Sequence, residues 1–323
     1  PIYLDKSQTL NIVLRKDHPD SFNLIVYYQI ISPGLFYYIS EQNYPSVFDF
    51  IGEEYFFYPK DVPIRALRVL KPDNMLVFKD LHNNYTGQSY VNLVFIEKDA
   101  FKQRESIRNE NITMTVFVPD SLANDSAINA KLDKLYTRVN KVAAMTTTHR
   151  DINMLLINWR DEQRRVAAGK GFGNLFVCDI KFNPQSMLHE TIHLLFDNKI
   201  DHSSGGGYFV GESVIEWLAA YFSDGLKGID TDVIATNNEG NLYDIIANHG
   251  STFRLVYTIG PAIIQKIAKQ VGEERMAQAL IAFLKETDDG QFRSYEDFIL
   301  FMQHHLPKRA ITRMDRMVRG FAK

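Results

Sequence analysis

The chain has 323 residues, 45% of them hydrophobic, enough for a sizeable core and more than the roughly 100–200 residues usual for one domain, so two domains are expected. Its 36 basic and 39 acidic residues leave a formal charge of −3, which lacks the electrostatic footprint of a nucleic-acid or anionic-membrane partner and suits a neutral or small substrate. The longest apolar runs, such as Asn23 to Ser32 and Leu255 to Ile264, fall short of the roughly 20 residues of a membrane-spanning helix, so no span is expected.

From Thr9 to about Asp120, short apolar, β-branched and aromatic runs alternate with turn residues. The runs are Leu10 to Leu14, Phe22 to Ile31, Ile64 to Leu70, Met75 to Phe78, Tyr90 to Ile96 and Ile112 to Val118. This pattern predicts antiparallel β structure. The character changes at Pro119-Asp120, where a domain boundary is placed. Beyond it a helix is predicted over Ala127 to Ala144, strands over Ile152 to Trp159 and Asn174 to Ile180, and an almost entirely helical remainder from Pro184. The expected class is therefore α+β. A β-rich N-terminal domain over 1–120 precedes a second domain over 121–323, mixed to about 225 and helical from about 226. Aromatic clusters such as Tyr55-Phe56-Phe57-Tyr58 are expected to fill the β core rather than form a binding strip.

The chemistry lies in His189-Glu190-Thr191-Ile192-His193, an H-E-x-x-H sequence. Asn183-Pro184 offers an N-cap followed by proline at the first helical position, so a helix is expected here. Residues four apart share one helix face, which would bring both imidazoles to one metal ion, with Glu190 turned toward the metal's open position. Met187, Leu188, Ile192 and Leu195 would bury the supporting faces. Separated from His193 by 18 residues, Glu212 begins a second amphipathic segment that runs to Phe222. A carboxylate there completes a His₂Glu set of a catalytic zinc site, which leaves a fourth position for water. Glu190 is the candidate general base. Glu216, one turn after Glu212, is either the acceptor for the second ring N–H of a zinc histidine or a solvated helix carboxylate.

This spacing resembles the gluzincin metallopeptidases and, within them, the aminopeptidase N family, whose pattern is H-E-x-x-H, 18 residues, then Glu. Phe196 and Asn198 match the aromatic and asparagine that follow the family's second histidine, while Asp197 stands where glycine is usual. Tyr257-Thr258-Ile259-Gly260 resembles the family's Tyr-x-x-Gly helix. The resemblance implies a thermolysin-like α/β peptidase fold for the second domain, one Zn²⁺ per chain, and a peptide or protein substrate. It also implies that Tyr257 stabilises the developing oxyanion. The interval of 45 residues from Glu212 to Tyr257 is short for the family, so Tyr208 and Tyr243 stand as substitutes, and a packed helix tyrosine is the bland alternative. One departure concerns specificity. The family carries Gly-x-Met-Glu-Asn before the zinc helix, whose glutamate grips a free amino terminus. Here the corresponding stretch, Gly169 to Asn174, has no acid. Gly171 and Gly173 are expected to bind substrate backbone by β-augmentation instead, which leaves endopeptidase and atypical aminopeptidase both open.

Two other readings stand beside this one: an idle gluzincin scaffold that only binds, and hydrolysis of a non-peptide bond by the same water chemistry. His202, in the glycine-rich loop between the two zinc helices, is either a surface residue or a rim contact. The single cysteine, Cys178, is expected to be a small core residue. The C-terminal stretch from Lys308 is expected to be a docking helix with a solvated face. The chain starts at Pro1 without a basic, then apolar leader, so a signal peptide or lipid anchor is expected to have been removed or never to have existed. It is expected to be soluble, with a secreted or periplasmic compartment among the options. Oligomeric state is not specified.

Overall fold

The computed structural model describes residues 2–4, 10–12, 47–50, 73–83, 89–146, 148–157, 169–172, 174–196, 200–201, 205–237, 240–245, 252–287 and 291–320. The expected strands Phe22 to Ile31 and Ile64 to Leu70, and the Tyr55 to Tyr58 cluster, lie outside these residues. β1 (Ile2–Leu4) and β2 (Leu10–Ile12) pair antiparallel. β3 (Val47–Phe50), β4 (Met75–Asn83) and β5 (Ser89–Glu97) form an antiparallel sheet in the order β3-β5-β4.

The sheet that positions the site has the order β6-β7-β8-β10-β9. Its strands are β6 (Phe101–Arg108), β7 (Ile112–Pro119), β8 (Arg150–Ile157), β9 (Gly169–Phe172) and β10 (Leu175–Asp179). β7, β8 and β10 run parallel, and the edge strands β6 and β9 are antiparallel to their neighbours. A parallel pair needs a crossover, and α1 (Ser126–Ala143) supplies it between β7 and β8. The Asp125 carboxylate starts that helix by accepting from the Ala127 and Ile128 amides at 2.8 and 3.0 Å.

A boundary at 120 would cut through this sheet, because β7 pairs with β6 on one side and with β8 on the other. The change of sequence character at Pro119-Asp120 marks the passage from hairpin to crossover helix. β6 was not anticipated from sequence. Lys102, Gln103 and Arg108 interrupt its apolar pattern and are exposed, as suits an edge strand.

The sheet is buried on both faces, which the alternation along β8 records. Met154 and Leu156 face the principal core with Phe176 and Cys178 of β10, while Leu155 and Ile157 join Val177, Phe117, Val94 and Ile96 in a second cluster shared with β5. Cys178 is thus the small core residue expected. α2 (Pro184–Phe196) packs between α1 and α3 (Val214–Phe222). The helical remainder comprises α4 (Thr252–Arg254), α5 (Gly260–Val271), α6 (Glu273–Glu286), α7 (Tyr295–His305) and α8 (Lys308–Val318). α8 buries Ile311, Met314 and Val318 while packing on α5 and α7. Among the described residues, no helix is long and apolar enough to cross a membrane.

Candidate metal centre

α2 starts where the sequence places it, with Asn183 Oδ1 accepting from the Gln185 amide at 3.0 Å. Met187, Leu188, Ile192 and Leu195 are completely buried, which turns the opposite face, with His189 and His193, toward α3. The two imidazoles meet edge to face, their ring centroids 4.7 Å apart. Glu212 comes from a π-helical turn, Phe209–Ser213, that leads into α3.

Three atoms converge. His189 Nε2 is 3.0 Å from His193 Nε2 and 3.2 Å from Glu212 Oε2, and His193 Nε2 is 3.5 Å from that same oxygen. Zinc bonds of about 2.0–2.2 Å at tetrahedral angles set ligand atoms roughly 3.3–3.5 Å apart. The three edges fall close to that value, so these residues fit zinc as a ligand set. Only 6% of the His189 side chain is exposed, against 24% for His193 and 21% for Glu212, so the triangle opens to the outside on the side of the latter two.

Partners hold the triangle from behind. Glu216 Oε2 lies 2.9 Å from His189 Nδ1, and Gln185 donates to the other Glu216 oxygen at 3.1 Å. Sequence reasoning passed over Gln185, although its position four residues before His189 places it on the same helix face.

Tyr257 lies on a second π-helical turn, Leu255–Ile259, and donates its phenolic proton to Glu212 Oε2 at 2.8 Å. Pro261 accounts for the widened turn. Proline in an α register would clash with the carbonyl four residues back, which is that of Tyr257, and a π turn relieves such a clash. Of the alternative tyrosines, Tyr243 is occupied elsewhere, donating to Glu296 at 2.8 Å. Tyr208 is close enough to Glu212 for that charge to add to the effect of burial in raising its phenol.

The electrostatics divide the carboxylates. Burial pushes Glu212 up, but His193 and His189 outweigh it and hold the carboxyl well below its usual range. Glu190 moves the other way: burial raises it, and the two histidines offset this only in part. Burial lowers His189, yet hydrogen bonds to Glu212 and Glu216, with the Glu212 and Glu190 charges, carry it up to about 10. Tyr257 is raised by burial and then by Glu212, so its phenol stays protonated.

Gly171 sits in edge strand β9 opposite Phe176, and β9 lies against α2. Gly173, Asn198 and His202 fall outside the described residues. Phe196 is core, 1% exposed.

No protein-family model matches this sequence, and none of the curated proteins matches it. Solved structures do. The chain is similar to an M1 zinc metallopeptidase from Deinococcus radiodurans at TM-score 0.52 and 12% identity, with 78% of this chain and 63% of that one covered. A mutant M1 zinc metallopeptidase from the same organism, bound to a Tyr-Ser-Ala substrate, matches with the same figures. An aminopeptidase N family protein from Idiomarina loihiensis matches at TM-score 0.45 and 11% identity over 71% of this chain and 50% of that one. The chain thus spans less than two thirds of the length of these structures. At 12% identity the Deinococcus likeness establishes a mixed helix-and-strand fold of the M1 peptidase kind.

Proposed function

We propose that this chain is a zinc-dependent peptidase in which His189, His193 and Glu212 hold one Zn²⁺ per chain and Glu190 is the general base. The observation that carries this reading is the triangle of three ligand atoms at 3.0, 3.2 and 3.5 Å, open on the side of His193 and Glu212. When bound, zinc supplies Lewis acidity that polarises a carbonyl and makes water a nucleophile near neutral pH.

The chain's own residues do the rest. Glu190, with a carboxyl raised by burial, takes the proton of the attacking water and passes it to the departing amine. Tyr257, kept protonated, turns its hydroxyl from Glu212 toward the carbonyl oxygen as that oxygen gains charge. Glu216 accepts from His189 Nδ1 and so presents Nε2 toward the ligand triangle. β9, an edge strand among the described residues, is suited to pair with an extended substrate backbone. The site's opening, together with the lack of an acid in 169–174, favours a peptide substrate without a mandatory free amine.

The test is hydrolysis of a peptide library by zinc-loaded protein, repeated for Glu190→Gln. The variant keeps the shape of the side chain and removes the base, so zinc content should stay and kcat should fall roughly 10²-fold or more. Wild-type turnover in Glu190→Gln would move the proton transfer to another group, and no cleavage by the zinc-loaded wild type would end the peptidase reading.

A further inference from the structure

Two π-helical turns meet beside the ligand triangle. Glu212 ends its side chain on one, Tyr257 on the other, and the residue after Glu212 ties the two together. Ser213 is completely buried and its hydroxyl donates to the Val256 carbonyl at 2.6 Å. That carbonyl has a specific need. The Gly260 amide closes the π turn on Leu255, and the donor that would serve Val256 in the same register belongs to residue 261, a proline with no N–H. An orphaned buried carbonyl costs free energy unless another donor reaches it, and Ser213 is that donor.

Gly260 makes the approach possible. A Cβ at this position would stand 2.0 Å from Ser213 Oγ and 2.4 Å from Ser213 Cβ, closer than any side chain tolerates. Ser213, Val256 and Gly260 therefore form one joint, with Glu212 and Tyr257 each adjacent to it in sequence.

We infer that Ser213 is a positioning residue that acts through Tyr257: its hydroxyl fixes the π turn at Val256 and thereby holds the Tyr257 phenol at the Glu212 edge of the site. The catalytic part of this inference rests on the peptidase reading, while the structural part stands apart from it. Ser213→Ala should leave zinc content unchanged and KM close to wild type. It should lower kcat roughly tenfold, because a small displacement of a positioned group is felt in the transition state. In the Tyr257→Phe background the same substitution should cost nothing further, since its effect passes through the phenol.

Hydrogen exchange provides a readout independent of turnover. Amides of residues 255–260 should exchange roughly tenfold faster in Ser213→Ala, while those of α2 keep their wild-type rates. A swapped pair, Ser213→Gly with Gly260→Ala, returns atoms to the joint without a hydroxyl. It should restore packing but not turnover. Unchanged exchange at 255–260, full additivity with Tyr257→Phe, or wild-type turnover in the swapped pair would each overturn the inference. If the wild-type chain cleaves no peptide, the peptidase reading fails on its own and the exchange comparison still decides the role of Ser213 at the joint.

Discussion

Glu216 Oε2 stands 2.9 Å from His189 Nδ1, while the Nε2 of that ring faces His193 and Glu212. The contact fixes which nitrogen is offered to a metal, since once the ring is neutral an Nδ1–H held by a carboxylate leaves Nε2 with its lone pair. Glu216→Gln should therefore weaken zinc binding about 10- to 100-fold with little change in fold. Competition against a chelator of known affinity measures it, and unchanged affinity would reduce Glu216 to a surface carboxylate.

Proton release should accompany zinc binding. Before the metal binds, His189 carries its proton up to about 10, whereas a ligand imidazole must be neutral. The folded value is raised above the ordinary value of about 6.5, so this proton stabilises the metal-free fold fully below that pH. The contribution is lost as pH rises toward 10. Zinc affinity should accordingly climb with pH across the same window. Calorimetric titration at pH 7 in two buffers of different ionisation enthalpy should give different apparent enthalpies, and identical enthalpies would mean that His189 is already neutral.

Peptides with free and acetylated amino termini should be cleaved with similar kcat/KM. Residues 169–174 contain no acid, and among the described residues of the site Glu212 and Glu216 are engaged with His189 while Glu190 is the proposed base, so an ammonium finds no spare carboxylate among them. A preference for the free amine above about 100-fold, worth roughly 2.7 kcal/mol, would show that another acid anchors it.

Gly206 leads into the turn that carries Glu212, with φ +77° and the Tyr295 ring 2.5 Å from where a Cβ would stand. Gly206→Ala combines left-handed strain with a clash against a buried ring that donates to Asp315 at 3.0 Å. It should destabilise the fold by about 2–4 kcal/mol. Gly240→Ala, at φ +111° with nothing within 4 Å, carries the backbone strain alone and should cost less. Urea denaturation of both variants checks the order, and equal losses would remove the ring contact as a cause.

The sequence by itself determined the local pieces of this protein. Asn183-Pro184 and the spacing of His189 and His193 specify a capped helix with two imidazoles on one face, because capping and the period of 3.6 act within a few residues. The buried runs of β8 and β10 are legible for the same reason. What tertiary structure decided depends on partners distant in sequence. The sheet crosses residue 120 because β7 finds β8 beyond a helix, and strand β6, unmarked by its own polar pattern, joins the sheet through its hairpin with β7. Each π turn adds one residue to a helical repeat, but its surroundings are buried and apolar on nearly every side, with Phe209, Val210, Val214 and Ile215 around one and Leu255, Val256, Ile259 and Ala262 around the other, so no periodicity reveals the extra residue. Their cause is a local proline clash in one case, yet their consequence, Tyr257 meeting Glu212 across a serine and a glycine, exists only once both helices are packed, since a 2.8 Å hydrogen bond requires two backbones to be fixed relative to each other.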